Sequence, residues 1–318
     1  MPFSPANRAP AAADSPPPRR RGGWAKFLRA YSFPVSVAGA LAGAAPQAAG
    51  EKTDWLSLAL FLFSTICLHA AGNLFNDRDD FLCGVDRFGK SGAGSVAGGE
   101  RTPGEAARAA WGFLAAAAVS GCALLLRTGR LRLAAAGLAG ALGGWLYARG
   151  RHSPKHRACG ELWIFLVFGL ALPAAARWAV AESGAPFAVP NALPVSLWTV
   201  LLLHANNWRD RAADAAAGVR TLAGALHARF GETGVAAAAW ALLLAAAVLP
   251  AAALSGAGPL PRATGLSLPV FAAAGCLLVR FRRGQWGRAP LETLSALELV
   301  FAVPYLAALW LPPLVGHP

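Results

Sequence analysis

The chain has 318 residues, of which 56% are hydrophobic and only 14% are charged, and its mean hydropathy is +0.44. A soluble domain of this size does not combine these values, so the composition excludes a water-soluble protein and indicates a polytopic membrane protein. The formal net charge of +13 does not indicate nucleic-acid binding, because the basic residues are distributed as membrane topology requires.

The N-terminal region is rich in proline and alanine and carries Arg19, Arg20 and Arg21 near its end, which is typical of a disordered cytoplasmic tail. The alternative interpretation is a cleaved signal peptide, because arginines precede an apolar run that small residues close near Pro46. The same run also fits a first membrane-spanning helix. We therefore divide the chain into a tail, residues 1–22, and one transmembrane domain, residues 23–318.

Nine apolar segments follow the tail, most of them close to the roughly 20 residues that a spanning helix needs. They lie at 31–50, 54–75, 105–126, 131–149, 160–181, 189–208, 234–254, 266–281 and 294–314. The first segment contains Pro34 and Pro46, and the eighth is short. The sequence therefore predicts an all-α, polytopic membrane protein built as a bundle of about nine transmembrane helices.

The basic residues are concentrated on alternate sides of these segments. If the N-terminus is cytoplasmic, 23 of the 29 Lys and Arg residues fall in cytoplasmic loops and their flanks. This positive-inside bias predicts a multi-pass protein of the cell (inner) membrane with a cytoplasmic N-terminus. An odd number of helices then places the C-terminus outside.

Two stretches rich in Asn and Asp close the second and sixth segments, 73–86 and 206–218. In each stretch, three residues have the spacing i, i+3, i+7, which places them on one face of a helix. They are Asn73, Asn76 and Asp80 in the first stretch, and Asn207, Asp210 and Asp214 in the second. Either motif alone would be interpreted most simply as a solvated helix end, but two copies with one spacing favour a shared function.

Carboxylates this close together at a membrane boundary repel one another and resist ionisation unless a cation neutralises them. Mg²⁺ prefers oxygen ligands and commonly combines one or two carboxylates with phosphate oxygens. The paired motifs therefore predict a Mg²⁺–diphosphate clamp on the cytoplasmic face.

A basic segment between the fourth and fifth apolar segments is predicted to face the acidic motifs from the same side. Its charged and imidazole side chains are Arg149, Arg151, His152, Lys155, His156 and Arg157. Arg is suited to bidentate binding of diphosphate oxygens and Lys to binding them as a point charge. Positive-inside topology also explains the charge without a ligand, and we expect one or two of these residues to contact a ligand.

Three further polar residues lie within or at the start of apolar segments. His69 and His204 lie within apolar segments, where polar side chains usually face the bundle interior, so each either lines an acceptor pocket or is a packing histidine. Glu161 begins the fifth segment, where its charge is expected to favour a helix N-terminus through the helix dipole. The glycine- and serine-rich stretch 89–103 is either a lid or a plain connector.

The first motif, from Asn76-Asp77 to Gly84-Val85-Asp86, resembles the NDxxDxxxGxD element of UbiA-type intramembrane prenyltransferases, and its ending is closest to the menaquinone (MenA-type) branch. The second motif, from Asn206 to Ala223, resembles the NNxRDxxxDxxxGxRTLA element of that branch. The resemblance extends over residues 26–315 and includes Ser32-Phe33-Pro34 and the run 154–169. Arg78, Val219 and the stretch 89–99 depart from residues that are common in the family.

The resemblance implies a membrane-embedded, Mg²⁺-dependent enzyme that transfers a polyprenyl group from a polyprenyl diphosphate to an aromatic acceptor. The implied acceptor is 1,4-dihydroxy-2-naphthoate, in menaquinone biosynthesis. The implied catalytic residues are Asp77, Asp80, Asp210 and Asp214. The implied metal ligands are Asn76, Asp77, Asp80, Asp86, Asp210 and Asp214. The implied substrate-binding residues are Asn73, Asn76, Asn207, Arg149, Lys155 and Arg209.

Two alternatives stay open from the sequence alone. One is a UbiA-type prenyltransferase with another acceptor, such as 4-hydroxybenzoate, homogentisate or a tetrapyrrole. The other is a membrane transporter, although transporter sites lie near the membrane midplane, whereas both motifs lie at one face. The expected partners are the two substrates and the lipid bilayer, and no nucleic acid is expected.

Overall fold

The computed structural model describes residues 22–46, 51–86, 95–148, 153–181, 189–252, 267–286 and 289–310. Within these ranges the regular elements are helices, and no strand is present. The all-α prediction is therefore confirmed.

The helices are numbered in chain order: α1 (Trp24–Phe27), α2 (Phe33–Ala44), α3 (Trp55–Leu82), α4 (Pro103–Thr128), α5 (Leu131–Ala148), α6 (Gly160–Ile164), α7 (Leu172–Val180), α8 (Val189–Ala216), α9 (Leu222–Ala252), α10 (Leu268–Arg282) and α11 (Pro290–Trp310). A π-helical stretch, Phe165–Ala171, joins α6 to α7. If α6 and α7 are taken as one rod and the short α1 is left out, the described residues contain nine helices in the predicted order.

Five of these helices are long and apolar enough to cross a membrane: α3, α4, the α6–α7 rod, α9 and α11. The predicted boundaries differ most at the polar ends. Helix α3 continues to Leu82, beyond the predicted end at 75, and α9 begins at Leu222 rather than at 234. For α3 the difference arises because hydropathy marks the part of a helix that lies in lipid, whereas the backbone hydrogen-bonding continues through polar residues. Helix α9 is kinked at Gly231, whose backbone is not helical (φ 64°), so a separate stretch of helix, 222–230, precedes the predicted apolar segment.

Helices α3 and α8 lie at the centre of two groups of packed helices. Helix α3 packs against α4, α5, α2 and α7, and α8 packs against α9, α2, α11 and the π-helical stretch. Small residues allow close approach between helices, as at Gly43, where a Cβ would lie 2.2 Å from the backbone of Pro173. Helix α2 contacts both groups, so it joins them around the space between α3 and α8.

The two motif helices end in the same way. Helices α3 and α8 each have 28 residues. Each ends at a glycine with positive φ, Gly84 (72°) and Gly218 (74°). The amide of the following valine, Val85 or Val219, donates to the carbonyl oxygen five positions earlier, at 2.9 and 2.8 Å. This is the Schellman arrangement that commonly ends helices, and its acceptors are the carbonyls of Asp80 and Asp214.

Candidate active site

Both Asn/Asp motifs line a single cavity of about 900 Å³ between the two groups of helices. The predicted site residues that line it are Asn73, Asn76, Asp80, Asp86, Lys155, Asn207, Arg209, Asp210 and Asp214. Asp77 is not part of the lining, and Arg149 lies outside the described residues. The structure therefore brings together residues that are up to 141 positions apart in the sequence, between Asn73 and Asp214.

On the α3 side, a lysine from the loop after α5 contacts the motif. Lys155 Nζ lies 2.5 Å from Asp80 Oδ2 and donates to Asn76 Oδ1 at 3.1 Å. The Asn76 amide also donates to Asp80 Oδ2 at 3.0 Å. The other carboxylate oxygen of Asp80 is buried and has no hydrogen-bond partner. Since buried polar atoms are normally paired, this oxygen is a candidate ligand atom.

On the α8 side, the basic group that contacts a motif carboxylate is an arginine within the motif itself. Arg209 donates to both carboxylate oxygens of Asp210, at 2.8 and 2.6 Å, and to Asn206 Oδ1 at 2.9 Å. Asp214 lies one turn further along α8 and is buried. The two motifs thus present carboxylates from opposite sides, each with a basic group nearby.

Glu161 holds the second motif from α6. Its Oε1 accepts from the Asn207 amide at 3.1 Å and lies 3.3 Å from His204 Nδ1, and all three side chains are buried. His204 Nε2 lies 3.1 Å from the carbonyl oxygen of Val235. His204 is therefore a packing histidine with both ring nitrogens engaged. Sequence reasoning did not assign Glu161 a site role; the signal was a carboxylate within an apolar segment, which normally has a buried partner.

His69 differs from His204 because it lines the cavity. Its ring nitrogens lie 3.1 and 2.6 Å from the hydroxyls of Ser32 and Ser36. The ring makes edge contacts with Phe33 and Phe168, at centroid distances of 5.4 and 5.5 Å. This combination of hydroxyls, imidazole and aromatic rings forms a polar patch in the wall of the cavity.

Two residues of the first motif contact the N-terminal segment. Asn73 donates to the carbonyl of Leu28 and to the Ser32 hydroxyl, at 3.0 and 3.1 Å. Asp77 lies 3.5 Å from Arg29. Burial disfavours the charge on this guanidinium, but the nearby acidic groups, Asp77 first and then Tyr31, Asp80 and Asp86, together outweigh burial and raise the pKa of Arg29 above its ordinary value, so Arg29 stays charged.

Comparison with known proteins identifies the family. The UbiA prenyltransferase family model matches residues 36–303. The chain belongs to the UbiA prenyltransferase family. It is therefore a multi-pass membrane protein of this family, as the sequence predicted.

Individual relatives are more distant. The human UbiA prenyltransferase domain-containing protein 1 is 31% identical over 201 residues, which cover 62% of this chain and 58% of the human protein. The 1,4-dihydroxy-2-naphthoate octaprenyltransferase of Mycobacterium tuberculosis is 28% identical over 200 residues, which cover 63% of this chain and 68% of that protein. The chain thus spans less than two thirds of the length of the human relative.

Two solved structures share the fold. A UbiA homologue from Aeropyrum pernix K1 superimposes with a TM-score of 0.62 at 18% identity, over 87% of this chain and 95% of that one. A UbiA homologue from Archaeoglobus fulgidus, bound to DMAPP and Mg²⁺, has a TM-score of 0.58 at 16% identity, over 90% of this chain and 99% of that one. At these identities the similarity shows a common fold alone.

The remainder of the cavity in this UbiA-family protein is mostly apolar. Helix α5 contributes Gly137, Gly140, Gly143 and Gly144 to the lining. Polar residues line the cavity at the end near the motifs. The rest of the wall is made by aliphatic and aromatic side chains, such as Phe61, Leu68, Leu124, Val167 and Leu172. A cavity that is charged at one end and apolar along its length fits an amphiphilic ligand with a charged head and a hydrocarbon tail.

The residues present fit a divalent cation bound together with a phosphate. Among the described residues, no group of three His, Cys, Asp or Glu side chains is close enough to hold a metal ion by itself. Mg²⁺ does not need such a group, because it usually binds through one or two carboxylates together with substrate phosphates. The unpartnered Asp80 oxygen and the carboxylates of Asp86, Asp210 and Asp214 supply hard oxygen donors on both sides of the cavity.

Proposed function

We propose that this protein transfers a polyprenyl group from a polyprenyl diphosphate to an aromatic acceptor, 1,4-dihydroxy-2-naphthoate, within the membrane. The observation that carries the proposal is the single cavity that joins two carboxylate motifs, and the basic side chains beside them, to an apolar space. The Archaeoglobus homologue, bound to DMAPP or GPP with Mg²⁺, supports a prenyl diphosphate as donor. The named activity of the Mycobacterium relative supports the naphthoate acceptor.

The metal ion of this proposal is Mg²⁺. Asn76, Asp80 and Asp86 on one side, and Asp210 and Asp214 on the other, would hold it together with the diphosphate. When bound, Mg²⁺ neutralises charge on the diphosphate and so makes it a better leaving group.

The basic residues act on the same diphosphate. Lys155 and Arg209 already lie on the carboxylates of Asp80 and Asp210. In the complex with the donor, both basic groups would contact the outer oxygens of the diphosphate. They then stabilise negative charge where it develops as the donor breaks down, in a site of low dielectric.

The allylic C–O bond breaks and its electron pair remains on the diphosphate. A ring carbon of the acceptor supplies the electron pair of the new C–C bond, and the ring recovers its aromaticity by losing a proton or carbon dioxide. The apolar wall keeps water from trapping the allylic carbon first.

We place the acceptor ring at the polar patch around His69. The patch lies in the cavity wall next to Asn73, one turn of α3 before the metal-binding face. Ser32, Ser36 and His69 offer hydrogen-bonding groups to ring hydroxyls, while Phe168 offers an aromatic edge. An electron-rich ring held there would be close to the reacting end of the donor.

The test is a comparison of acceptors with purified protein in lipid. We would incubate a radiolabelled polyprenyl diphosphate and Mg²⁺ with 1,4-dihydroxy-2-naphthoate, 4-hydroxybenzoate or homogentisate, and identify the lipid product by mass. We expect prenylated naphthoate, and no product when EDTA replaces Mg²⁺. Prenylation of another ring alone would refute the naphthoate assignment. Absence of any prenyl transfer, with the protein folded, would refute the proposed reaction.

A further inference from the structure

Asp77 faces away from the cavity that its neighbours line. Asn76 and Asp80 are part of the cavity wall, whereas Asp77 is not, and only 1% of its surface is exposed. Successive side chains on a helix are rotated by about 100° because a turn takes 3.6 residues. Asp77 therefore lies on the flank of α3 that packs against other segments of the chain.

Both carboxylate oxygens of Asp77 have partners from distant parts of the sequence. Oδ2 accepts a hydrogen bond from the Val96 amide at 3.1 Å, and Oδ1 lies 3.5 Å from Arg29 Nη2. Arg29 lines the cavity, and so does Ser95, which precedes Val96. Asp77 thus joins two parts of the cavity wall from behind.

The segment Ser95–Arg101, hereafter the strap, makes further contacts with the N-terminal segment. Glu100 forms an ion pair with Lys26. The Arg101 guanidinium lies 5.1 Å from the centre of the Phe27 ring, a distance typical of cation–π contacts. The strap and α1 are therefore held to each other as well as to α3.

The strap is also packed into a small apolar cluster. Val96 and Ala97 are buried against Leu74 and Phe81 of α3. The Asp77 carboxylate sits beside this cluster, where water cannot replace its hydrogen bonds. Loss of the carboxylate would leave the Val96 amide buried and unpaired, which is costly.

We propose that Asp77 is a positioning residue and not a metal ligand. It fixes the strap and Arg29 as the wall at the charged end of the cavity, and so sets the shape into which the diphosphate fits. This inference rests on the proposed function, because it assigns the wall to diphosphate binding. Cation binding then depends on Asp80 and not on Asp77, although the two belong to one motif.

The experiment compares four variants of the full-length protein in lipid nanodiscs. Asp77→Asn retains an oxygen that can accept from Val96, Asp77→Leu removes it, Asp80→Asn removes a proposed ligand, and Asp79→Asn is the matched control. Asp79 forms an ion pair with its neighbour Arg78 and does not line the cavity. We would measure Mn²⁺ binding by electron paramagnetic resonance with a non-reactive prenyl diphosphate analogue, hydrogen exchange of the strap, and KM and kcat.

The expected results separate the two roles. Asp77→Asn binds Mn²⁺ as the unmodified protein does, whereas Asp80→Asn loses it. Asp77→Leu accelerates hydrogen exchange in the strap and raises KM for the donor by about tenfold, with kcat nearly unchanged, because a charged hydrogen bond that holds the wall is lost. Asp79→Asn changes none of these quantities.

Two results would overturn the inference. One is loss of Mn²⁺ from Asp77→Asn to the same extent as from Asp80→Asn. The other is unchanged strap exchange and unchanged KM in Asp77→Leu. If Asp77→Leu does not fold, the comparison of the two Asn variants still decides whether Asp77 is a ligand. Because strap exchange is measured without substrate, a protein that binds no prenyl diphosphate would refute the proposed function while the anchoring role stands.

Discussion

Two basic side chains of the cavity lie on side chains that we propose as metal ligands. Lys155 contacts Asp80 Oδ2 and Asn76 Oδ1, and Arg209 spans both oxygens of Asp210. A basic group and Mg²⁺ do not share one oxygen readily, because like charges repel strongly at low dielectric. Cation binding and movement of the basic groups towards the diphosphate are therefore expected to be coupled.

Replacement of Lys155 by Met tests this coupling, because the side chain keeps its length and loses its charge. We expect Mg²⁺ alone to bind more tightly, since the ammonium no longer competes, and a prenyl diphosphate analogue to bind about tenfold more weakly, since a charge-assisted hydrogen bond is lost. Titration calorimetry measures both affinities. Arg157→Met is the control from the same loop, because Arg157 is exposed and does not line the cavity. Weaker binding of both ligands in Lys155→Met would contradict the coupling.

Turnover is expected to require the carboxylates on the cavity face, Asp80 and Asp214, but not the neighbouring carboxylate of Asp79. Asp80→Asn and Asp214→Asn should each lower turnover by about 10²-fold or more, because each removes a group that stabilises charge in the reaction. Asp79→Asn should have a small effect, since Asp79 lies outside the cavity lining and pairs with Arg78. Turnover at saturating donor and Mg²⁺ measures the difference. An equal loss at Asp79 would contradict assignment by helix face.

At the scale of elements, the two Schellman ends hold the turns that carry Asp80 and Asp214, because the closing amides donate to the backbone carbonyls of these two residues. Gly84→Ala and Gly218→Ala should each destabilise the protein by about 1–2 kcal/mol, because a Cβ disfavours the left-handed conformation. Activity should fall as well, since the turns that carry Asp80 and Asp214 would shift. Gly112→Ala, in the interior of α4 with open space around it, is the control and should stabilise by up to about 1 kcal/mol. Thermal unfolding and turnover in lipid measure both effects, and an unchanged stability in both turn variants would refute the argument.

Helix α3 is also stabilised at its N-terminal end, where Asp54 is the N-cap. Asp54 precedes α3 and accepts from the Ser57 amide at 3.1 Å and from Arg127 at 3.1 Å. Although partial burial opposes it, hydrogen bonds from Ser57 and Arg127 lower the pKa of Asp54 to about 2. A lowered pKa means that the cap stabilises the fold above the ordinary pKa of 3.8, and that this stability is lost as the pH falls towards 2.

Asp54→Asn should therefore make the loss of thermal stability at acid pH less steep. At neutral pH the variant should lose about 1 kcal/mol or less, because Asn is also a good N-cap but cannot pair with Arg127. Thermal unfolding between pH 2 and 7 measures the profile. A steeper acid limb in the variant than in the unmodified protein would contradict this assignment.

At the scale of the whole molecule, the distribution of basic residues predicts which side of the membrane the motifs face. We expect both motifs and the N-terminus to be cytoplasmic. A cysteine introduced at Ala212, which is exposed on α8, in a variant without the five native cysteines, should react with a membrane-impermeant maleimide only after the cytoplasmic face is opened. A cysteine at Lys52, at the other end of α3, is the control and should react in intact cells. The reverse pattern would invert the predicted orientation.

The sequence was sufficient to predict the helices and most of the motif residues that face the cavity. Apolar segments of spanning length and a repeated i, i+3, i+7 spacing are local properties, so they indicate helices and a shared face without knowledge of what packs against them. On that basis the face of Asn76 and Asp80 could be assigned before its partners were known. The sites of the π-helical stretch and of the Schellman acceptors were not predicted, because both depend on backbone hydrogen bonds that residue type does not determine.

Only the tertiary structure decided which neighbour each polar side chain meets. Glu161 binds Asn207 because α6 packs beside α8, and Asp77 binds Val96 because the strap returns to α3. Asp77 and Asp80 are chemically identical and three residues apart, yet one lies behind the cavity wall and the other within it. A side chain's position on its helix follows from the period of 3.6 residues, but what occupies the space it faces follows from contacts between segments far apart in the chain.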